Sequence, residues 1–369
     1  AVCDTDFYNT FKDTVSLHLV NVDYNSNDLE KYDVIVISNI NKQLAGDWNK
    51  FDVEETKVLE ILGLVKRFKK INKPVVFYDQ YNEQDPYFNL LIARECDQIF
   101  TTTEEKYALY AKECPSRTQL TPYAVNPLLH NPVGISDNPK LEGVLYQGYW
   151  DQRNKTLENI LDGVNNIGIE LKIIDRGFSC TNKLYRFPLK YLPFISPSDG
   201  KYNYDLHKLF DYSVVNNDIE KVYQLQAMSN VIFSTYHPTI NNNFPNVFTV
   251  DTRYEIGKLL DALSKKDKQK IQLEGIRNIM SRYLCYENME HILKSVGIKC
   301  SVGQKNVLIV GRSNTQSEEQ YQNQSYKHCE FLDQDNLTPQ ILDKFDFIAY
   351  FDPDYYYDEY YIEDLINGF

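Results

Sequence analysis

The sequence predicts an α/β protein made of two doubly wound domains followed by a small α/β segment. Two observations predict this. Short apolar runs alternate with helix-period segments along most of the chain, and one proline-dense stretch interrupts that alternation. In the first third, Asp33-Val34-Ile35-Val36-Ile37-Ser38 is an apolar run ending in polar residues, as a strand buried on both faces would be. A helix follows from about Val53 to Lys70, with Val58, Leu59, Leu62, Val65 and Phe68 on one face, and Pro74-Val75-Val76-Phe77-Tyr78 is the next strand. Strand, helix and strand at this spacing form a βαβ unit and imply a parallel sheet.

Between Cys114 and Leu141 stand Pro115, Pro122, Pro127, Pro132 and Pro139, which break regular structure and mark an interdomain connection. The alternation then resumes. Strands are predicted at Gly143–Gln147, Glu170–Asp175, Tyr212–Asn216, Val231–Thr235 and Val247–Asp251, with helices near Lys155–Asn165, Asp218–Ser229, Tyr254–Ser264 and Glu287–Lys294. The expected domains are 1–125, 126–300 and 301–369, and the last helix of the second is expected to reach back to the first. In the third segment, Val307–Val310 and Phe347–Phe351 read as strands and Thr338–Asp343 as a short helix; so short a piece is marginal as an independent domain.

Composition excludes some functions. A formal charge of −13 argues against nucleic-acid binding, which needs clustered cations, so an anionic ligand must be held locally by a helix N-terminus or a few placed cations. The seven cysteines are scattered without a Cys-x-x-Cys pair, which argues against zinc and a disulfide framework and for a reducing cytoplasm. No apolar run is long enough to span a membrane. The opening Ala1-Val2-Cys3-Asp4 reads as a strand already under way, which points to residues upstream. Lys66, Arg67, Lys69 and Lys70 at a helix end either complement the helix dipole or make a peripheral contact with anionic lipid.

A series of short motifs goes further. In order they are Tyr78-Asp79-Gln80-Tyr81-Asn82-Glu83-Gln84-Asp85-Pro86, Cys96-Asp97-Gln98-Ile99-Phe100-Thr101-Thr102, Thr121-Pro122-Tyr123-Ala124-Val125-Asn126-Pro127 with His130-Asn131-Pro132, Tyr146-Gln147-Gly148-Tyr149-Trp150, Ile174-Asp175-Arg176 and Tyr185-Arg186-Phe187-Pro188. Together they resemble the CgeB-type (spore-maturation-protein-like) glycosyltransferase family over roughly residues 1–300. The resemblance implies a GT-B-like fold, with two Rossmann-like domains facing each other across a cleft. It also implies a nucleotide sugar, UDP-sugar favoured, on the second domain and a glycan acceptor on the first. Transfer in such a fold needs no metal, because helix N-termini and basic side chains neutralise the leaving diphosphate.

The donor-site segment departs from the family. Where the family carries two arginines and then Glu-x-x-Ala-Cys-Gly, this chain has Glu220-Lys221-Val222-Tyr223-Gln224-Leu225-Gln226-Ala227-Met228-Ser229. Glu220 replaces an arginine, Lys221 an arginine, Gln224 a carboxylate and Ser229 a glycine. A neutral amide is roughly half as strong as a carboxylate toward donor hydroxyls, and Glu220 opposes a diphosphate. Asn217 and Glu220 stand at capping-box spacing, so the helix itself should start well. The expected donor-binding set is Gly148, Arg176, Lys221 and Gln224.

For catalysis, Glu83 and Asp85 follow a strand end where a general base would sit, and His130 lies near the expected cleft. The alternatives are a loop capped by Asp85-Pro86, a structural histidine, and an internal ion pair at Asp175-Arg176. In the tail, Asp352-Pro353-Asp354, followed by Tyr360-Tyr361-Ile362-Glu363-Asp364-Leu365, resembles the two-aspartate motif of GT-A glycosyltransferases, where Asp352 and Asp354 would hold Mg²⁺ or Mn²⁺; a solvated acidic turn is the alternative. The functional expectation is a cytoplasmic glycosyltransferase, at the inner face of the membrane, acting on cell-envelope or surface glycans. The alternatives are a catalytically silent GT-B module that binds glycan or scaffolds an adjacent transferase and, more distantly, a nucleotide-sugar-modifying enzyme.

Overall fold

The computed structural model describes the chain except residues 25, 41–43, 51–53, 81–86, 134–140, 179–182, 199–202 and 369. It forms two compact units, Ala1–Cys300 and Ser301–Phe369. The architecture is the α/β one the alternation predicts: two parallel Rossmann-like sheets in the first unit and a small three-stranded parallel sheet in the second.

The first sheet runs in the order β1 (Ile35–Ser38), β2 (Val75–Asp79), β3 (Gln98–Thr101), β4 (Thr118–Leu120), and Val2 adds a parallel bridge to Ile37. Successive strand residues point to opposite faces, so each face collects its own core. Ile35, Ile37, Val75, Phe77 and Ile99 meet the apolar stripe of α2 (Glu54–Lys70), namely Val58, Ile61, Leu64, Val65 and Phe68. The helices α3 (Tyr87–Glu95) and α4 (Glu104–Glu113) cover the same face through Ile92 and Tyr110. Val36, Val76, Tyr78 and Phe100 face the other way, onto Phe7 and Phe11 of α1 (Thr5–Phe11) and onto Cys285, Met289 and Ile292 of α11 (Cys285–Ser295). The chain's return is pinned where Val125 and Leu284 bridge and Asn288 Nδ2 donates to Thr121 Oγ1 at 2.9 Å.

The second sheet has the order β10-β9-β8-β5-β6-β7. Its strands are β5 (Leu141–Gly148), β6 (Glu170–Asp175), β7 (Ile195–Pro197), β8 (Phe210–Val215), β9 (Val231–Ser234) and β10 (Phe248–Thr249). The chain winds outward through β6 and β7, then returns to the other side of β5 and winds through β8, β9 and β10, which is doubly wound topology. Helix α5 (Lys155–Asn166) and α9 (Arg253–Ala262) close one face, so tightly that a Cβ on Gly163 would lie 2.2 Å from Ile256. The other face packs on α7 (Ile219–Ala227) and α10 (Lys265–Met280), with α6 (Tyr204–Lys208) and α8 (Pro238–Asn243) completing this side.

In the second unit β11 (Val307–Gly311) lies between β12 (Cys329–Asp333) and β13 (Phe347–Phe351). Val307, Ile309, Ala349 and Phe351 share a core with Tyr321 of α12 (Thr315–Gln322) and Ile362 of α14 (Tyr361–Ile366). The short helix expected at Thr338–Asp343 is α13 (Pro339–Leu342).

One local expectation is corrected. The N-cap of α7 is Asp218, not Asn217: the Asp218 carboxylate accepts from the Lys221 amide at 3.3 Å. Asn217 instead takes φ +56°, a left-handed conformation that asparagine tolerates, and turns the chain from β8 into the helix.

Candidate functional site

Strand order reverses between β5 and β8, and open α/β sheets leave a crevice outside the carboxyl ends at such a point. The ends of β5, β6 and β8 converge there on Tyr146. Its hydroxyl donates to the Tyr149 carbonyl at 2.7 Å, the Asn216 side chain hydrogen-bonds to it, and Asp218, Asp175 and Arg176 act on it electrostatically. Burial, the largest effect, pushes the phenol pKa up. Gly148 ends β5 against this ring, where a Cβ would lie 2.5 Å from the Tyr146 hydroxyl, so only glycine fits. The Arg176 amide donates to the Gly148 carbonyl at 3.0 Å, and its guanidinium lies 5.2 Å from the Tyr149 ring centre. Two expected donor-side residues, Gly148 and Arg176, are thus neighbours.

The other two, Lys221 and Gln224, form a second cluster on α7, every residue of which is buried. Lys221 Nζ donates to Gln224 Oε1 at 2.8 Å and to the Tyr204 hydroxyl at 3.1 Å, and Gln224 Nε2 donates to Glu220 Oε1 at 2.9 Å. Burial pushes the Glu220 carboxyl up to about 7; Lys221 opposes that rise while Asp6, Asp218 and Asp4 add to it. Burial works against the Lys221 ammonium, but Tyr204, Glu220, Asp6 and Asp218 together hold its pKa well above the ordinary value. Asp4 and Asp6 begin α1, so the first domain's carboxylates meet the start of α7 here. The result is one cation among several acids.

His130 belongs to this neighbourhood. It is buried, with its ring centre 4.6 Å from that of Tyr204. Burial, aided by the charges of Lys221 and Lys208, lowers its pKa to about 3, so the imidazole is neutral at pH 7 and a weak base. Tyr204 also lines an open groove of about 770 Å³ with Lys172, Ser196, Ser198, Asn203 and Asp205. Glu83 and Asp85 lie outside the described residues.

Sequence reasoning missed a polar centre at the carboxyl ends of β1 and β2. Asp79 is fully buried, accepting from Asn39 Nδ2 at 2.8 Å and Tyr110 Oη at 2.7 Å, and it pairs with Lys106 at 3.4 Å. Asp79 stood inside a quoted motif, but nothing in the sequence marks Lys106 and Tyr110, on α4, as its partners.

The tail aspartates lie on the turn that follows β13. The Asp354 amide donates to Asp352 Oδ1 at 2.9 Å, which makes a self-capped turn, and both residues are exposed. Among the described residues no three His, Cys, Asp or Glu side chains are grouped to hold a metal. Each of the six described cysteines is a free thiol. No described helix is long and apolar enough to cross a membrane.

No protein-family model matches the chain, and no curated protein matches it. Among solved structures the chain is similar to Anabaena Alr3699/HepE in complex with UDP, at 9% identity over 73% of this chain and 80% of that one, with a TM-score of 0.47. It is similar to the N-terminal domain of Candida albicans trehalose-6-phosphate phosphatase at 9% identity, 77% and 95% coverage and a TM-score of 0.45. It is also similar to the glycosyltransferase SnogD from Streptomyces nogalater at 13% identity, 78% and 89% coverage and a TM-score of 0.39. Likenesses this distant carry no argument about chemistry, and the fold assignment stands on the chain's own strand order.

Proposed function

We propose that the chain is a nucleotide-sugar-dependent glycosyltransferase acting on a cell-envelope or surface glycan, at the inner face of the cytoplasmic membrane. The observation that carries the reading is the strand-order reversal between β5 and β8, with Gly148 and Arg176 beside it and α7 beginning there. In this reading Gly148 lets backbone approach a UDP-sugar, Arg176 and Lys221 face its diphosphate, and Gln224 accepts from donor hydroxyls. Glu83 and Asp85, which follow β2, handle the acceptor proton, and the neutral His130 positions Tyr204. The finer assignment, to the CgeB-type family, rests on the motif series alone.

A second reading has its own support. Glu220, Lys221 and Gln224 already satisfy one another, and Asp218 already caps α7, which suits a silent GT-B module that binds glycan or scaffolds a neighbouring transferase. Calorimetry of the full chain against UDP-sugars separates the two. Gln224→Glu alone sets two buried carboxylates against each other and should weaken any binding, whereas Glu220→Arg with Gln224→Glu sets a cation against the new carboxylate and should tighten it by about 1 kcal/mol or more. No heat from either the wild type or the double variant at millimolar ligand would reject the transferase reading.

A further inference from the structure

One edge of the second domain combines exposed apolar side chains with positive charge. The stretch 176–198 contains Arg176, Lys183, Arg186 and Lys190 and no acidic residue, in a chain with 52 acids and a net charge of −13. A 3-10 helix at Leu189–Phe194 follows the turn at Lys183–Tyr185. In such a helix residues three apart eclipse, so Leu189 and Leu192 project on one line, and they are 82% and 58% exposed. Leu184 and Phe178 are exposed nearby, as are the Lys183 and Arg186 side chains. A Cβ on Gly177 would lie 3.3 Å from the Tyr149 ring and 3.8 Å from the Tyr185 carbonyl, which joins these segments into one surface.

The projection is rigid. Phe187 and Tyr191 point inward onto Trp150, at 5.1 and 5.6 Å between ring centres, and the Tyr191 hydroxyl donates to Asp162 at 2.7 Å. Of the acids bordering this edge, Glu158 and Asp162 pair with Lys190 at 2.9 and 2.8 Å and Asp151 with Arg153 at 2.7 Å, while Asp175 accepts from the Gly177 amide at 2.8 Å. Lys183 and Arg186 therefore face outward with no carboxylate from these residues set against them. Fixed leucines projecting beside cations suit an interface that is apolar below and anionic at its surface.

We propose that this edge docks the chain on anionic lipid bilayers, Leu189 and Leu192 entering the acyl boundary while Lys183 and Arg186 meet the headgroups. The proposal does not depend on the glycosyltransferase reading. It is tested by sedimentation of the full chain with vesicles of phosphatidylcholine alone and of equimolar phosphatidylcholine and phosphatidylglycerol. Binding is expected to the anionic vesicles and should weaken as salt rises. Leu189→Ser with Leu192→Ser should reduce partition by about tenfold or more. Lys183→Gln and Arg186→Gln should each reduce it by about fivefold. All four positions are exposed, so circular dichroism should show unchanged folding. Absence of binding to the anionic vesicles would overturn the proposal, as would full retention by the leucine variant. Loss caused instead by Lys66→Glu with Lys69→Glu, at the end of α2, would place the contact elsewhere. A dimer in sedimentation velocity that Leu189→Ser dissociates, without vesicle binding, would make the edge an interface between copies.

Discussion

Glu220 should make the stability of the first unit fall as pH rises through neutrality. Its folded pKa is raised from 4.5 to about 7, chiefly by burial. The folded state therefore holds a proton that the unfolded chain releases above 4.5. For such a group stability is fully present below the unfolded value and is lost as pH climbs through the folded one. At roughly 1.4 kcal/mol per pKa unit, the loss between pH 4.5 and about 7 comes to about 3 kcal/mol. Glu220→Gln keeps the shape and the acceptor for Gln224 Nε2 but removes the titration. Groups distant from Glu220 titrate alike in both proteins and cancel in the difference between their urea midpoints, which therefore reads Glu220 together with Asp4, Asp6, Asp218 and Lys221, the charges that act on it. The variant should match wild type at pH 4.5 and exceed it increasingly as pH rises to about 7, with a plateau above. Parallel midpoints across that range would show that the carboxyl is not holding a buried proton.

Three further outcomes are expected. Ser229 holds φ +63° at the end of α7, so Ser229→Gly should stabilise the protein by about 1 kcal/mol in urea unfolding; destabilisation would mean the turn is unstrained. Asp79→Ala should cost about 3–5 kcal/mol because it strands the buried Lys106 ammonium, and adding Lys106→Met should recover much of that loss. Titration of Mn²⁺ should give no saturable binding, with Asp352→Asn indistinguishable from wild type; tight saturable binding lost in that variant would make the tail a metal centre.

Elements with a strong local pattern were legible from the chain. Strand β6 spans the predicted Glu170–Asp175, and α2 begins at Glu54, beside the predicted Val53, and ends at Lys70. Helix α10 was not predicted, because its buried residues are only Gly275, Ile279 and Met280, too few to set a periodic stripe. Strand β7 is a three-residue edge ending in proline and leaves little signal. At the candidate site, Gly148 was singled out by its motif, Tyr146-Gln147-Gly148-Tyr149-Trp150, while the Tyr146 hydroxyl that leaves no room for a Cβ there is visible only in the fold. The buried positions of Lys106, Glu220 and Lys221 were not, since charged side chains are ordinarily exposed and only tertiary packing supplies their partners. The cap of α7 was misassigned by one residue because Asn217 and Asp218 are both good caps, and the sharp turn out of β8 decides between them.

The return of α11 to the first sheet affects how the protein is made. Val36, Val76, Tyr78 and Phe100 emerge from the ribosome early, yet Cys285, Met289 and Ile292, which cover part of that face, emerge after the whole second sheet. At typical synthesis rates the interval is on the order of ten to thirty seconds. During it the nascent first domain presents an apolar face that only α1 covers in part, which invites a chaperone or a neighbouring nascent chain. Folding therefore cannot finish domain by domain from the N-terminus, and a chain truncated before residue 285 should aggregate rather than yield a stable first domain.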